Sequence, residues 1–201
     1  MESSSIAVTY DYRCPFARNA HEHVVHALRG GAPWAVEFVP FSLTQVHVEE
    51  GGTPVWEDSA RAADLVAVEA GLVVRDRDPD RFLDVHLAMF AARHDQGRDL
   101  RDEAVVREVL ETQGVETESV FDAIAEGWPR TLFRKSHESA AADHKVFGVP
   151  TFIAGNDAVF VRIMTRPNED QKASVMTIER VLSLMLEQPE LNEFKHTSIP
   201  Q

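Results

Sequence analysis

Cys14 is the single cysteine among 201 residues, and its setting is specific: Tyr10-Asp11-Tyr12-Arg13-Cys14-Pro15-Phe16-Ala17. Ile6, Val8 and Tyr10 alternate like a strand. Pro15 suits the first turn of a helix, where its missing N–H has no intrahelical partner to lose. Phe16, Ala20, Val24, Ala27 and Leu28 continue as an apolar stripe at helical spacing. A sulfur at that junction faces unpaired N–H groups and the positive end of the helix dipole. The expectation is a thiol held below the ordinary pKa of ~8.5, because thiols at helix N-termini fall to roughly 3.5–7.5. Such a thiolate attacks a disulfide or an electrophile and forms a mixed species. No second cysteine exists to resolve that species, so an external thiol must. The competing reading of a lone cysteine is a small buried hydrophobe.

Histidine is the other candidate for chemistry, with nine in the chain. His21-Glu22-His23-Val24-Val25-His26 suggests metal binding. Two histidines that share a metal around a helical Glu must stand four apart. His21 and His26 are five apart, and His23 with His26 lacks an evident third ligand. No metal site is expected, and these histidines read as partly exposed helix residues.

The elements that must position Cys14 fall into blocks. Residues 1–50 read strand, helix, strand, with a helix over 15–28 that stops at Gly30-Gly31-Ala32-Pro33 and a strand over 35–42. That predicts a βαβ unit with parallel strands. Residues 51–128 read as helices without strands. Asp58 or Ser59 opens one that ends near Gly71, Asp78-Pro79 opens the next, Asp102 another, and a last one stops at Gly127. Residues 129–187 read helix, strand, strand, helix: an amphipathic stretch over 131–146, a strand from Val149-Pro150, a turn at Gly155-Asn156-Asp157, a return strand over 158–163, and a helix over 168–186. Residues 188–201 read as a loose tail. The order predicts an α/β, thioredoxin-like fold: a mixed four-stranded sheet carrying an inserted α-helical subdomain. Proline is tolerated at the start of a strand, and whether the bond before Pro150 is cis stays open.

Composition narrows the function classes. A hydrophobic fraction of 44% is enough to bury a core in one domain with an insertion. No run approaches the ~18–20 apolar residues of a membrane span. Met1-Glu2-Ser3-Ser4-Ser5 has neither a basic region nor a long apolar segment, and one cysteine allows no intrachain disulfide. A cytoplasmic location is therefore expected. A formal net charge of −13 argues against nucleic acid, whose binding rests on Lys and Arg neutralising phosphates.

Four short motifs, in this order, carry a resemblance: Asp11-Tyr12-Arg13-Cys14-Pro15-Phe16-Ala17, His94-Asp95-Gln96-Gly97, Arg134-Lys135-Ser136-His137 and Gly148-Val149-Pro150-Thr151-Phe152. Over residues 5–186 the chain resembles the DsbA-like branch of the thioredoxin superfamily. Within it the chain is similar to the mycothiol-dependent reductases of actinobacteria, and more distantly to kappa-class glutathione transferases and 2-hydroxychromene-2-carboxylate isomerases. Redox members carry Cys-Pro-x-Cys, and here Ala17 replaces the second cysteine. In the transferase and isomerase relatives a serine replaces the first and helps to activate a bound thiol.

The resemblance implies catalytic roles for Cys14, Pro15 and Pro150. It implies thiol or substrate binding by Phe16, Ala17, Val149, His94, Lys135 and Ser136. Pro150 is expected against Cys14, with the Val149 backbone holding the incoming thiol or peptide in extended form. No tightly bound cofactor is implied; mycothiol or glutathione acts as co-substrate. The expected partners are that thiol and a small electrophile or disulfide, with no nucleic acid and no membrane, and with a homodimer left open. Three readings stand: a monothiol oxidoreductase, a thiol-dependent transferase or isomerase, and a catalytically retired binding module. In the second, the electrophile would lie between core and insert, near Phe16, Trp56, His86, Phe90, His94 and Trp128.

Overall fold

A computed structural model describes residues 5–198. The apolar alternation at the N-terminus becomes β1 (Ser5–Tyr10), and the stripe after Pro15 becomes α1 (Pro15–Arg29). Cys14 is the N-cap between them. β2 (Ala35–Pro40) runs parallel to β1 in register from Ser5 opposite Ala35 to Tyr10 opposite Pro40. β3 (Thr151–Ala154) and β4 (Asp157–Phe160) form a hairpin, and β3 lies antiparallel to β1 on its other side. The sheet is mixed and four-stranded, in the order β2-β1-β3-β4. This is the expected α/β, thioredoxin-like architecture.

Helices fill the interval between β2 and β3. A short α2 (Leu43–Val46) and a 3-10 turn (Ser59–Asp64) lead into α3 (Val66–Arg77), α4 (Pro79–His94), α5 (Glu103–Thr112), α6 (Thr117–Glu126) and α7 (Trp128–His144). The start signals act through their side chains: Asp58 and Asp102 each accept a backbone N–H of the turn that follows. Gly127 ends α6 at φ +84°, a conformation that favours glycine. The last helix, α8 (Gln171–Glu187), packs along α1. α4 also touches α1, and α3 packs against α4, α5, α6 and α7. The helices between β2 and β3 therefore meet the rest of the fold chiefly through α4 on α1 and α7 on β2.

The helix expected from Asp58 is split into the 3-10 turn and α3, and α7 starts earlier and α8 later than expected. Three further boundaries differ for a physical reason. β2 stops at Pro40 because Ser42 turns to cap α2, its hydroxyl accepting the Gln45 N–H at 3.1 Å. α3 runs through Gly71 to Arg77 instead of ending there. A Cβ at Gly71 would stand 2.7 Å from the Tyr12 hydroxyl, so this glycine permits close approach and does not terminate the helix. β4 ends at Phe160 because the chain beyond it is strapped to α1: Asn19 donates to the Ile163 carbonyl at 3.0 Å, and His23 bonds the Thr165 carbonyl.

Candidate active site

Cys14 is placed by β1 delivering it, by Pro15 opening α1, and by the turn before β3. Its Sγ accepts the Ala17 N–H at 3.4 Å, and its S–H points at the Val149 carbonyl oxygen, also at 3.4 Å. The Val149–Pro150 bond is cis. Val149 and Pro150 are buried, Ala17 is fully buried beneath the sulfur, Pro15 is exposed, and Phe16 is half-buried under the Arg162 guanidinium. Cys14, Ala17 and Val149 thus meet in one place, with Pro15, Phe16 and Pro150 as their chain neighbours.

The ionisation of Cys14 corrects the sequence expectation. The residue is only 8% exposed. Burial pushes its thiol above the ordinary value, and Asp11 adds a negative charge nearby. The N–H groups of Ala17 and Phe16 pull the other way and do not prevail. Desolvation penalises the charged form, and here it outweighs the helix end. Cys14 therefore rests as a thiol.

The loop carrying Cys14 is held from several sides. The Asp11 carboxylate accepts from the Arg13 backbone and guanidinium and from the Leu43 N–H, four donors between 2.8 and 3.1 Å. His94 donates from Nε2 to the Tyr12 carbonyl at 2.9 Å, so its observed role is to brace the loop. On the other side, Thr9 fixes the turn before β3. Its hydroxyl accepts the Thr151 N–H at 2.8 Å and reaches the Gly148 carbonyl.

A buried relay joins these two braces. The Thr9 carbonyl can only accept, so His21 must donate to it from Nε2 at 3.1 Å. His21 Nδ1 is then an acceptor and takes the His86 Nε2–H at 2.9 Å. His86 Nδ1 in turn takes the Tyr12 hydroxyl proton at 3.0 Å. Desolvation lowers His21 to about 4 and pushes His86 well down, and it raises Tyr12. Every member is neutral, and the bond directions are fixed by the carbonyl at one end.

These positions overturn further sequence readings. His21 and His23 are buried rather than partly exposed, because α4 and α8 roof the polar side of α1 and supply partners. His86 and Phe90 belong to the core rather than to a substrate cleft. Lys135 lies on the exposed side of α7, in a groove with Trp56, Arg130 and Arg134 that includes neither Cys14 nor its loop. Ser136 is half-buried beside it and lines neither that groove nor the cavity described next. Neither residue is brought to the sulfur. Among the described residues no group of acidic, His or Cys side chains could hold a metal.

Sequence reasoning missed a cavity of about 240 Å³ between the Cys14 loop and the insert. Tyr12, Arg13, Ala67, Val68 and Leu100 line it, along with arginines and aspartates from the ends of α4 and the segment after it. Only Asp11, Tyr12 and Arg13, within the first motif, signalled this site. The others are far apart in sequence and meet only through the packing of α3 and α4 on the loop.

Comparisons with known proteins agree with this geometry. Residues 5–173 match the model of the DSBA-like thioredoxin domain. Among solved structures, a 2-hydroxychromene-2-carboxylate isomerase aligns with a TM-score of 0.62 at 14% identity, covering 94% of this chain and 100% of its own. The thiol-disulfide exchange protein alpha-DsbA2 of Wolbachia pipientis aligns at 0.58 and 15%, covering 90% and 83%. Reduced DsbA1 of Neisseria meningitidis aligns at 0.55 and 16%, covering 94% and 87%. At such identities these structures show a shared fold. No curated protein matches the chain.

Proposed function

The chain belongs to the DSBA-like thioredoxin domain family, and from that premise we propose that it is a monothiol thiol–disulfide oxidoreductase resolved by mycothiol or glutathione. The observation that supports this most is the contact of Cys14 Sγ with both the Ala17 N–H and the Val149 carbonyl. The first is a donor for a thiolate and the second an acceptor for a thiol, so the sulfur has a partner in each protonation state.

In this reading the Cys14 thiol first loses its proton to solvent. The thiolate attacks one sulfur of a disulfide; a new S–S bond forms, the old one breaks, and the leaving half departs as a thiolate. The Ala17 and Phe16 N–H groups stabilise the attacking sulfur. The incoming chain lies along the Val149 backbone. With Ala17 where a second cysteine would stand, the mixed disulfide waits for an external thiolate, which attacks it and frees Cys14. Such a cycle suits a compartment rich in small thiols, and we place the protein in the cytoplasm.

One observation favours a second reading. A resting S–H is a hydrogen-bond donor, so Cys14 could stabilise the thiolate of a bound mycothiol or glutathione without exchanging electrons, as a transferase or isomerase would use it. Intact mass after exposure to oxidised glutathione or oxidised mycothiol separates the two. The oxidoreductase reading expects a single adduct on the Cys14 peptide, released by excess reduced thiol. Binding of the reduced thiol with no adduct would replace it with the second reading.

A further inference from the structure

The cavity beside the Cys14 loop holds an imbalance of hydrogen-bonding capacity. Six charged residues line it: Asp11, Arg13, Asp64, Arg93, Asp99 and Arg101. By formal charge they cancel, but by unused donors and acceptors they do not. Asp11 is saturated by its four donors. Asp99 accepts the Arg101 N–H and three guanidinium contacts at 2.7–3.1 Å. Those bonds hold Asp99 down to about 2, so it stays ionised and occupied.

The arginines retain what the aspartates have used up. Arg93, on the last turn of α4, makes no ion pair or hydrogen bond among the described residues, although Asp99 and His94 lie within range of its charge. Arg93 is exposed, so its five N–H groups meet solvent and are open to an incoming acceptor. The second terminal nitrogen of Arg13 meets only Asp64, at 4.0 Å, and that of Arg101 meets no protein acceptor among the described residues. Asp64 alone keeps unused oxygens facing this surplus. The apolar wall of Ala67, Val68 and Leu100 would lower the local dielectric and strengthen a charge pair formed there.

We propose that this cavity takes an anionic group, a carboxylate or its like, carried by a reactant at Cys14, with Arg93 as the cation that receives it. The inference rests on the reading of Cys14 as the nucleophile and adds the class of molecule it meets. The sequence argues against such a preference, because a net charge of −13 repels anions from the surface as a whole. An anion preference at Cys14 must therefore be local.

The two candidate carriers are the disulfide that Cys14 attacks and the thiol that resolves it. For the attack, the rate of Cys14 with 5,5′-dithiobis(2-nitrobenzoate) is divided by that with uncharged 4,4′-dithiodipyridine, and normalised to the same ratio for the urea-unfolded protein. For the resolution, 3-mercaptopropionate is compared with 2-mercaptoethanol on the mixed disulfide, normalised in the same way. The expected result at low salt is a ratio raised at least threefold in one arm, and that arm identifies the carrier. Arg93→Gln brings the ratio back toward one, and Asp64→Asn raises it further. Lys172→Gln, the same loss of charge on α8, leaves it unchanged. Normalised ratios at or below one in both arms, with Cys14 reacting normally with the neutral disulfide, would overturn the inference alone. A folded protein whose Cys14 reacts with neither disulfide, while the unfolded one does, would overturn the functional reading and this inference with it.

Discussion

Tyr12 and Cys14 stand two residues apart on one loop and face opposite kinds of surroundings. The Tyr12 hydroxyl is fully buried and starts an unbroken relay through His86 and His21 to the Thr9 carbonyl, with no bond longer than 3.1 Å. Cys14 is nearly as buried, yet its sulfur has only two long contacts, and which of them holds depends on whether a proton is present. The Tyr12 relay is finished: neutral, directional and satisfied along its length, although the hydroxyl of neighbouring Tyr10 is buried without a hydrogen-bond partner among the described residues. The Cys14 side is unfinished, and beside it lies a cavity whose arginine donors exceed its available acceptors. Residue type alone would have put chemistry on the histidines as readily as on the cysteine. Completeness of hydrogen bonding separates them, because a buried group with all its partners has none left for a substrate.

Breaking the finished side should cost the most. His86→Leu leaves the Tyr12 hydroxyl and His21 Nδ1 both buried and unpaired. At ~1–3 kcal/mol for each orphaned group, the loss of stability should be roughly 2–6 kcal/mol, read from urea unfolding. His86→Gln keeps one donor and one acceptor and should recover part of it. A His86→Leu protein within about 0.5 kcal/mol of the parent, the range of an ordinary surface change, would mean the relay holds nothing together.

Acid should act on the buried histidines progressively. Burial lowers His21 and His137 to about 4 and pushes His86 well down. The unfolded chain binds protons at these histidines first, so their stabilisation is whole above the ordinary ~6.5 and is lost as pH falls toward 4. His21 alone removes on the order of 3 kcal/mol by pH 4. Glu69, whose carboxyl burial raises, works in the opposite direction over part of that range. Urea midpoints at pH 7, 5.5 and 4 should fall in sequence, and a flat series would contradict the neutral relay.

A smaller effect sharpens the geometry. Gly71→Ala drives a methyl against the Tyr12 hydroxyl and should cost about 1–3 kcal/mol. In a Tyr12→Phe background the obstacle is gone, and most of that cost should vanish, giving a coupling of about 1 kcal/mol or more. Additive costs would show that α3 does not press on that oxygen.

The fold was legible because its signals are local. Asp58, Asp102 and Asp78-Pro79 announce helix starts, Gly127 a stop, and the alternation of Ile6, Val8 and Tyr10 a strand. Cys14 at the head of α1 was legible for the same reason. Its ionisation was not: a helix end can be read in sequence, whereas the burial that outweighs it comes from tertiary packing that includes the Val149 turn, over a hundred residues away. The relay was half legible. His86 stands four residues from both Phe82 and Phe90, a face that marks it as buried, but its partner His21 lies on another helix. Gly71 read as a stop because sequence does not show Tyr12 beneath it. The arginine cavity was hidden because its residues come from three separate segments.

The pH dependence of Cys14 alkylation by iodoacetamide, measured under native conditions, tests the account most directly. The prediction is a rate that climbs through a single titration lying above that of an unhindered cysteine, with the protein folded throughout. A rate already level at neutral pH would show an ionised resting sulfur. A rate that is absent until denaturant is added would show a sulfur that no reactant reaches. Either result would contradict a resting thiol poised between the Ala17 N–H and the Val149 carbonyl.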